Sequence, residues 1–489
     1  MKFLLDTNII IPIEPVAIDG FEANTEVIAS LIKSFQDGGH QYYVHRASIN
    51  ELKQDLNVKR RDARIKLLGK YPVLKISMDI ESSVSAAYEG TETNSHNTID
   101  QILLSALVFE SVDYLVTDDL GIHKKAAKLG FSSRVATSED TLAVIQALFP
   151  EVTREIPPLN SILAYELDEK DPIFQSFRTD YPMFDSWLAK CKREHRQAWT
   201  INLENKQLQG ICIVKIEEFC DYNIVLPTLK ICSFKVSEEG RGFRYGELFL
   251  KGIFDYADRN NLQSIYVETF EKQTALISLF LNFGFQILER CSQKGELILS
   301  KTLVFSSEFV QSMEPLEFNI RFGPRLVKTD GVGVFVIPII PKYHRMLFPE
   351  FEEQLELFPG KYSFGNGIRK AYLCHANVRA IKPGDLIIFY RSQDVQGITS
   401  YGVVEELNIS CIPDKIARAV GKRTVYTFDE IQAMCSSDVL AISFRLSSVL
   451  ENPVGIRDLI SNGVVTAAPQ SIVSVRQEGS QWIKQRLAI

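Results

Sequence analysis

Across residues 1–150, short aliphatic and aromatic runs alternate with longer stretches of helical periodicity, which restricts the fold more than any other feature of the chain. Lys2-Phe3-Leu4-Leu5, Gln41-Tyr42-Tyr43-Val44 and Asp113-Tyr114-Leu115-Val116 read as buried strands. Helical patterns run from Glu26 to Gln36 and from Asp100 to Phe109. Such alternation predicts a parallel sheet with helices on both faces. A single core does not serve 489 residues, so two to four domains are expected. Pro157-Pro158 marks the first boundary. Residues 159–305 again mix strands and helices, with helices expected at about 247–260 and 272–282. From about 306 onward strands and turns dominate, including Gly333 to Ile340, Asp385 to Arg391 and Ser400 to Glu405. The expected fold class is multidomain α/β, with domains at 1–150, 159–305 and 318–489 packed against one another.

Charge argues against a tight nonspecific DNA binder. Residues 1–150 hold 15 Lys and Arg against 20 Asp and Glu, residues 151–305 hold 19 against 22, and residues 306–489 hold 20 against 19. No segment carries a strong basic excess. No apolar run reaches the roughly 18–20 residues of a bilayer span, and the opening Met1-Lys2-Phe3-Leu4-Leu5-Asp6 is too short and too acidic for a signal peptide. Eight cysteines stand singly, with no CxxC pair, which suits reduced thiols in a cytoplasmic protein.

Four acidic positions, the adjacent Asp118 and Asp119 counted as one, stand out in the first domain. Asp6 ends one strand, and Asp118 and Asp119 follow another. Glu51 and Asp100 are each expected at the start of a helical stretch. In an open α/β sheet functional groups collect at the carboxyl ends of the strands, so these acids could share one edge. Clustered carboxylates repel unless a cation offsets them, and oxygen-only ligands suit Mg²⁺ or Mn²⁺. A metal held there could activate water against a phosphodiester. Each acid alone also reads as a helix cap or a solvated helix face. Taken in order, Leu5-Asp6-Thr7-Asn8, Ile49-Asn50-Glu51-Leu52, Asn97-Thr98-Ile99-Asp100-Gln101 and Leu115-Val116-Thr117-Asp118-Asp119 resemble the PIN family over residues 1 to about 148. The resemblance implies a parallel α/β nuclease using Mg²⁺ or Mn²⁺ on single-stranded RNA. It implies Asp6, Glu51, Asp100 and Asp119 as catalytic acids and Asp6, Asp100, Asp118 and Asp119 as metal ligands. Spacing from Thr117 favours Asp119 over Asp118 as the fourth acid.

In the second domain, Val236-Ser237-Glu238-Glu239-Gly240-Arg241-Gly242-Phe243-Arg244-Tyr245-Gly246 follows a strand and opens a helix. A glycine-bearing turn of this kind aims backbone N–H groups and a helix dipole at phosphates. With Leu281-Asn282-Phe283-Gly284-Phe285 downstream, it resembles the GNAT acetyltransferase family over about 160–303. That resemblance implies a mixed α/β sheet binding acetyl-CoA through Val236, Arg241, Gly242, Arg244, Tyr245 and Gly246. Two departures are visible. Arg244 replaces the middle glycine of the family's phosphate turn, and Phe280 occupies a position where a tyrosine often serves as general acid. Phenylalanine donates no proton, which leaves Tyr266 or water for that role.

Ile381-Lys382-Pro383-Gly384-Asp385-Leu386-Ile387-Ile388-Phe389-Tyr390-Arg391-Ser392, followed by Ile398-Thr399-Ser400-Tyr401-Gly402-Val403-Val404-Glu405, resembles the PUA-like group with its EVE and ASCH relatives. It implies a small β-barrel that contacts nucleic acid, with Lys370, Tyr372, Tyr390 and Arg391 as candidates for charge and base stacking. The same rings at alternate strand positions also read as core, and Cys374 and His375 read as packing residues.

The combined expectation is a metal-dependent endoribonuclease with acyl-CoA-binding and RNA-binding modules, its substrate single-stranded RNA or tRNA and its location cytoplasmic. PIN-like and GNAT-like folds both occur in toxin–antitoxin systems, which by analogy suggests a toxin or defence role and an antitoxin partner. The alternatives are a GNAT-type acetyltransferase acting on tRNA or protein, and a non-catalytic RNA-binding scaffold.

Overall fold

The computed structural model describes residues 1–13, 25–37, 40–54, 56–68, 71–74, 79–89, 95–149, 159–202, 207–237, 244–291, 295–305, 312–353, 367–375, 378–487 and 489. Packing divides the chain into two compact units instead of three. The first comprises Met1–Glu151 together with Ser410–Lys422 and Tyr426–Asp438; the second comprises Val152–Ile409, Arg423–Val425 and Val439–Ile489.

In the first unit, β1 (Lys2–Leu5), β2 (Gln41–Val44), β3 (Tyr114–Val116) and β4 (Val135–Ala136) form a sheet in the order β2-β1-β3-β4, parallel throughout. Phe3, Leu4 and Leu5 are all buried, as a parallel strand covered on both faces requires. Helix Ser95–Val108 packs Leu103, Leu104 and Leu107 against Leu4 and Leu115. Two helices from late in the chain, Pro413–Val420 and Phe428–Met434, complete this unit at the amino ends of the strands. The Tyr114 hydroxyl donates to the Arg418 carbonyl at 3.2 Å, Asp414 lies 3.6 Å from the amino terminus, and Phe428 stacks on Phe149 at 5.0 Å. The Thr427–Glu430 capping box fixes the start of the second helix. These residues therefore leave the expected 318–489 domain.

The second unit holds two sheets. Seven strands, β5 (Leu159–Leu163), β6 (Gln197–Asn202), β7 (Leu208–Glu217), β8 (Thr228–Val236), β9 (Ser264–Phe270), β10 (Gln286–Cys291) and β11 (Glu296–Thr302), run in the order β10-β11-β9-β8-β7-β6-β5. All neighbours are antiparallel except β8 and β9. Helix Tyr245–Arg259 buries Phe249, Leu250 and Ile253 against one face of this sheet. Helix Phe184–Arg193 buries Leu188 and Cys191 against the other. The second sheet contains β12 (Val334–Ile339), β13 (Arg369–Cys374), β14 (Leu386–Arg391), β15 (Gly397–Ser410), β16 (Val439–Gly455) and β17 (Val473–Ser474), ordered β13-β16-β15-β14-β12-β17. Among the described residues no pairing joins β13 to β17, so the sheet is open where the PUA-like resemblance implies a closed barrel. Among the described residues no helix is long and apolar enough to cross a membrane.

Candidate active site

The feature that most resembles a substrate cleft lies between β8 and β9. Their parallel pairing runs from Thr228↔Ser264 to Ile231↔Val267 and stops, while the strands continue to Val236 and Phe270. The cause is a bulge. On the other edge of β8, Ile213 pairs with Ser233 but Val214 pairs with Ile231, leaving Cys232 as the extra residue. A bulge bends its strand and raises the local twist, and here it turns β8 away from β9. Residues Ser233–Val236 then keep β7 as their partner, and their other edge faces the gap. Among the described residues, the hydroxyl of Ser233, a buried residue, has no hydrogen-bond partner. An orphaned buried hydroxyl is costly unless something fills the site.

A polar network lines the sheet face beside this gap. Glu268, the first residue of β9 beyond the splay, accepts from the Tyr222 hydroxyl at 2.8 Å and from Lys230 Nζ at 2.9 Å. Burial works against the Lys230 charge, but Glu268 outweighs it and raises the ammonium's pKa. Glu217 accepts from the Tyr266 hydroxyl at 2.5 Å and from Lys215 at 3.3 Å. Tyr266 is buried, and burial together with Glu217 pushes its pKa upward, so it is held as a neutral donor to Glu217. This overturns Tyr266 as the substitute acid. Cys232 is no nucleophile at neutral pH, since burial raises its thiol to about 12.

At the expected phosphate turn, Arg241 and Gly242 lie outside the described residues. Val236 ends β8, and Gly246 sits in the first turn of helix Tyr245–Arg259, where an added Cβ would meet Leu279 Cδ2 at 2.8 Å. Arg244 caps that helix in the left-handed region, φ 58°, the conformation a glycine would take. Its guanidinium does not face a cofactor. It is buried, donating to Glu247 at 3.0 and 2.6 Å and to the Arg369 carbonyl at 2.6 Å. The Tyr245 ring is likewise core. Both side chains are therefore corrected from cofactor contacts to interior groups. Phe280 is fully buried and touches Phe234 and Phe285 at 5.4 and 4.8 Å. Phe280→Tyr would force a hydroxyl into that aromatic contact, so it should cost about 1–3 kcal/mol in a denaturant melt without raising turnover. A gain in acyl transfer would show that the position can act as an acid.

The acids of the first unit come together only in part. Thr117 organises two of them: its hydroxyl donates to Asp6 Oδ2 at 2.7 Å and accepts from the Asp119 amide at 3.1 Å. Burial, partly offset by the hydrogen bonds from Thr117 and Thr7, raises the Asp6 carboxyl. Burial and then Asp6, Asp119 and Glu51 push Asp100 up to about 7. Glu51 pairs with His96 at 2.5 Å and sits near the end, not the start, of helix Arg46–Leu52; Asp100 lies within helix Ser95–Val108. Asp118 turns elsewhere, accepting from the Ser138 amide at 2.8 Å. Among the described residues no group of three or more His, Cys, Asp or Glu side chains is arranged to hold a metal ion. Asp6, Glu51, Asp100 and Asp119 act on one another as an electrostatic cluster, while Asp118 is engaged with Ser138.

The nucleic-acid candidates of the last sheet are also interior groups. Lys370 is fully buried with Nζ 2.6 Å from the Leu347 carbonyl, and Tyr372 donates to the Pro338 carbonyl at 2.8 Å. Tyr390 belongs to the core with Ile388 and Ile398, and Arg391 holds Asp394 at 2.9 and 2.6 Å. None of the four offers a stacking or phosphate-binding face.

Residues 163–285 match the acetyltransferase (GNAT) family. That segment is a GNAT acetyltransferase domain. Solved structures similar to the chain include an acetyltransferase of the GNAT family from Staphylococcus aureus, at 14% identity over 30% of this chain and 100% of that one, TM-score 0.24. Another is the Campylobacter jejuni N-acetyltransferase PseH in complex with acetyl coenzyme A, at 15% identity over 30% and 100%, TM-score 0.23. A third is ASCH from Zymomonas mobilis, at 14% identity over 31% and 94%, TM-score 0.24. Among curated proteins none matches the chain. Sequence reading missed Glu217, Lys230 and Glu268 of the GNAT domain; their signal was charge inside mostly apolar strands, Lys215 and Glu217 in β7, Lys230 and Lys235 in β8 and Glu268 alone in β9.

Proposed function

We propose that the GNAT domain is an acyl-CoA-dependent acyltransferase whose acceptor is an amine on a tRNA or protein. The observation that carries this reading is the Cys232 bulge, which parts β8 from β9 and leaves Glu268 at the mouth of the gap. Acetyl-CoA, when bound, supplies an acyl group activated as a thioester. The free edge of Ser233–Val236 offers backbone groups to an extended chain, and the amino end of helix Tyr245–Arg259 favours phosphate. Tyr222 and Lys230 orient the Glu268 carboxylate, which is placed to take a proton from the acceptor ammonium. Phe280 and Tyr266 are both committed to the interior, so solvent supplies the proton for the departing thiolate. The test is binding and transfer together. Saturating acetyl-CoA should raise the melting temperature by ligand linkage, and label from it should appear on one class of amine in a mixture of tRNA and protein. The absence of both responses would reject the reading.

Metal-dependent cleavage of RNA by the first unit is the second reading, favoured by the coupling of Asp100 to three other acids. Because the folded carboxyl is raised above its unfolded value of 3.8, ionising it costs stability progressively as pH climbs through about 7. Asp100→Asn should therefore stabilise the metal-free protein by at least about 1 kcal/mol at pH 8 and leave it unchanged at pH 4. It should also abolish any Mn²⁺-dependent cleavage of an RNA pool. Cleavage that survives the substitution would remove these acids from the reaction.

A further inference from the structure

The sheet face that carries Glu268 also carries a buried side chain with nothing to bind. Ser233 on β8 stands opposite Ile213 on β7, and Ile213 packs with Leu188 and Cys191 of helix Phe184–Arg193. Lys230 stands opposite Lys215 and Tyr266, and its ammonium reaches Glu268. Residues 213, 215 and 217 alternate onto one face of β7, so Ser233, Lys230, Tyr266, Glu217 and Glu268 all share that face. Ser233 is 7% exposed, and among the described residues its hydroxyl has no hydrogen-bond partner. It lies on β8 beyond the splay, as Glu268 does on β9. A hydroxyl that the fold leaves unmatched there marks a place for a polar atom of a ligand.

The loop between β7 and β8 borders the same site. Tyr222 folds back over β9, its ring 5.7 Å from Tyr266 and its hydroxyl on Glu268. Just before it Glu218, Phe219 and Asp221 are exposed, Phe219 by 89%. From Ile216 to Leu229 the chain carries three acids, Glu217, Glu218 and Asp221, and no Lys or Arg. The lysines of this face are already engaged, Lys215 with Glu217 and Lys230 with Glu268. Among the described residues neither Glu218 nor Asp221 is paired with a cation. At the end of β9 the Tyr181 ring lies on Phe270 at 5.5 Å, Lys272 is turned onto that same ring, and Met183 is 72% exposed.

Resting on the acyltransferase reading, we infer that the acceptor is a polypeptide. A basic segment seats apolar residues on Phe219 and Met183, pairs its cations with Glu218 and Asp221, and presents a primary amine to Glu268. Charge separates this acceptor from tRNA, whose phosphates would meet unpaired carboxylates with no free cation to receive them. A small free amine would have no use for an exposed ring or for acids outside the gap, whereas exposed aromatic and Met side chains are typical of protein contact surfaces. The amine nitrogen bonds to the acyl carbon as the thioester C–S bond breaks. The ammonium gives up two protons, the first to Glu268 and the second to solvent; the thiolate takes one from solvent, and one net proton is released. Ser233 offers a buried acceptor to an N–H of the incoming amine.

The experiment gives the full chain isotope-labelled acetyl-CoA with one of three acceptors: a synthetic peptide of alternating Leu and Lys, unfractionated tRNA, or spermidine. The peptide should be labelled at least ~10-fold faster than either of the others. Blocking its amino terminus separates the two amine sources: label that persists assigns the lysine side chain, and label that is lost assigns the terminus. Glu218→Gln combined with Asp221→Asn should raise KM for the peptide about 5-fold, an effect that added salt removes. Phe219→Ser should raise it about 10-fold. Both should change kcat far less, since none of these side chains touches the reacting atoms, and the melting shift with acetyl-CoA reports that each variant is folded. Preferential labelling of tRNA or spermidine, or a KM that none of the substitutions moves, would overturn the proposal while the acyltransferase reading stands. No label on any acceptor, with acetyl-CoA still raising the melting temperature, would overturn it as well. Loss of both the label and the melting shift would end the two together.

Discussion

Arg244→Gly should lower the stability of the second unit by about 1–2 kcal/mol, although glycine is the residue the backbone there would prefer. Two effects oppose each other. The left-handed conformation at φ 58° costs an arginine roughly 1–2 kcal/mol, and glycine would recover it. Against that, removing one partner from a buried ion pair typically costs about 3–5 kcal/mol, because the remaining charge is stranded. Glu247 keeps the amides of Ile368 and Arg369, which places the loss toward the lower end. A double-mutant cycle with Glu247→Gln should show the two changes costing less together than their sum. Urea melts decide the matter: a glycine variant as stable as the wild type would mean that the ion pair contributes no more than the backbone strain it is set against.

Glu268→Gln should cut acyl transfer at least ~100-fold at saturating acceptor, the usual scale for a lost general base. The amide oxygen still accepts from Tyr222 and Lys230, and the lost ion pair with the partly exposed Lys230 is worth only about 1 kcal/mol. The fold and the response to acetyl-CoA should therefore survive. Raising the pH should recover part of the rate, since the acceptor then arrives deprotonated without help. Glu217→Gln should leave transfer within a few-fold, because Glu217 serves Tyr266 in the interior. A Glu268 variant that keeps a tenth of the activity would assign the proton to another group.

The strands were largely legible in the sequence, for a physical reason. Lys2–Leu5 and Leu386–Arg391 lie where the buried runs predict, because a covered strand has little choice but continuous apolar residues; Gln41–Val44 is a strand as expected, but only its Val44 is buried. Helices Tyr245–Arg259 and Thr274–Asn282 likewise match their periodicity. Side-chain destinations were not legible. Lys370, Tyr390 and Arg391 have the composition of a nucleic-acid surface, yet each is buried; Lys370 is spent on a carbonyl that lies close only in the fold, and Arg391 on the carboxylate three residues further on. Arg244 reads as a phosphate contact by position in a motif, and only its partners Glu247 and Arg369 reveal that it points inward. The cleft escaped notice because a bulge leaves no mark on a strand's composition. Asp6, Glu51, Asp100 and Asp119 do act on one another, but sequence order says nothing of ligand distance. The helices Pro413–Val420 and Phe428–Met434 were assigned to the wrong unit because an amphipathic helix looks the same wherever it docks.

That last arrangement bears on how the molecule is made. The first unit draws on three stretches of chain, the last ending at Asp438. During synthesis its parallel sheet and helix Ser95–Val108 emerge well before helices Pro413–Val420 and Phe428–Met434, which complete the unit. At typical elongation rates of roughly 5–20 residues per second, that interval is on the order of 15–60 s. Through that time the Tyr114 hydroxyl lacks the Arg418 carbonyl and Phe149 lacks its stacking partner Phe428. The first unit thus stays incomplete until its last segment, ending at Asp438, has been made, and the second unit, which runs to Ile489, is completed later still.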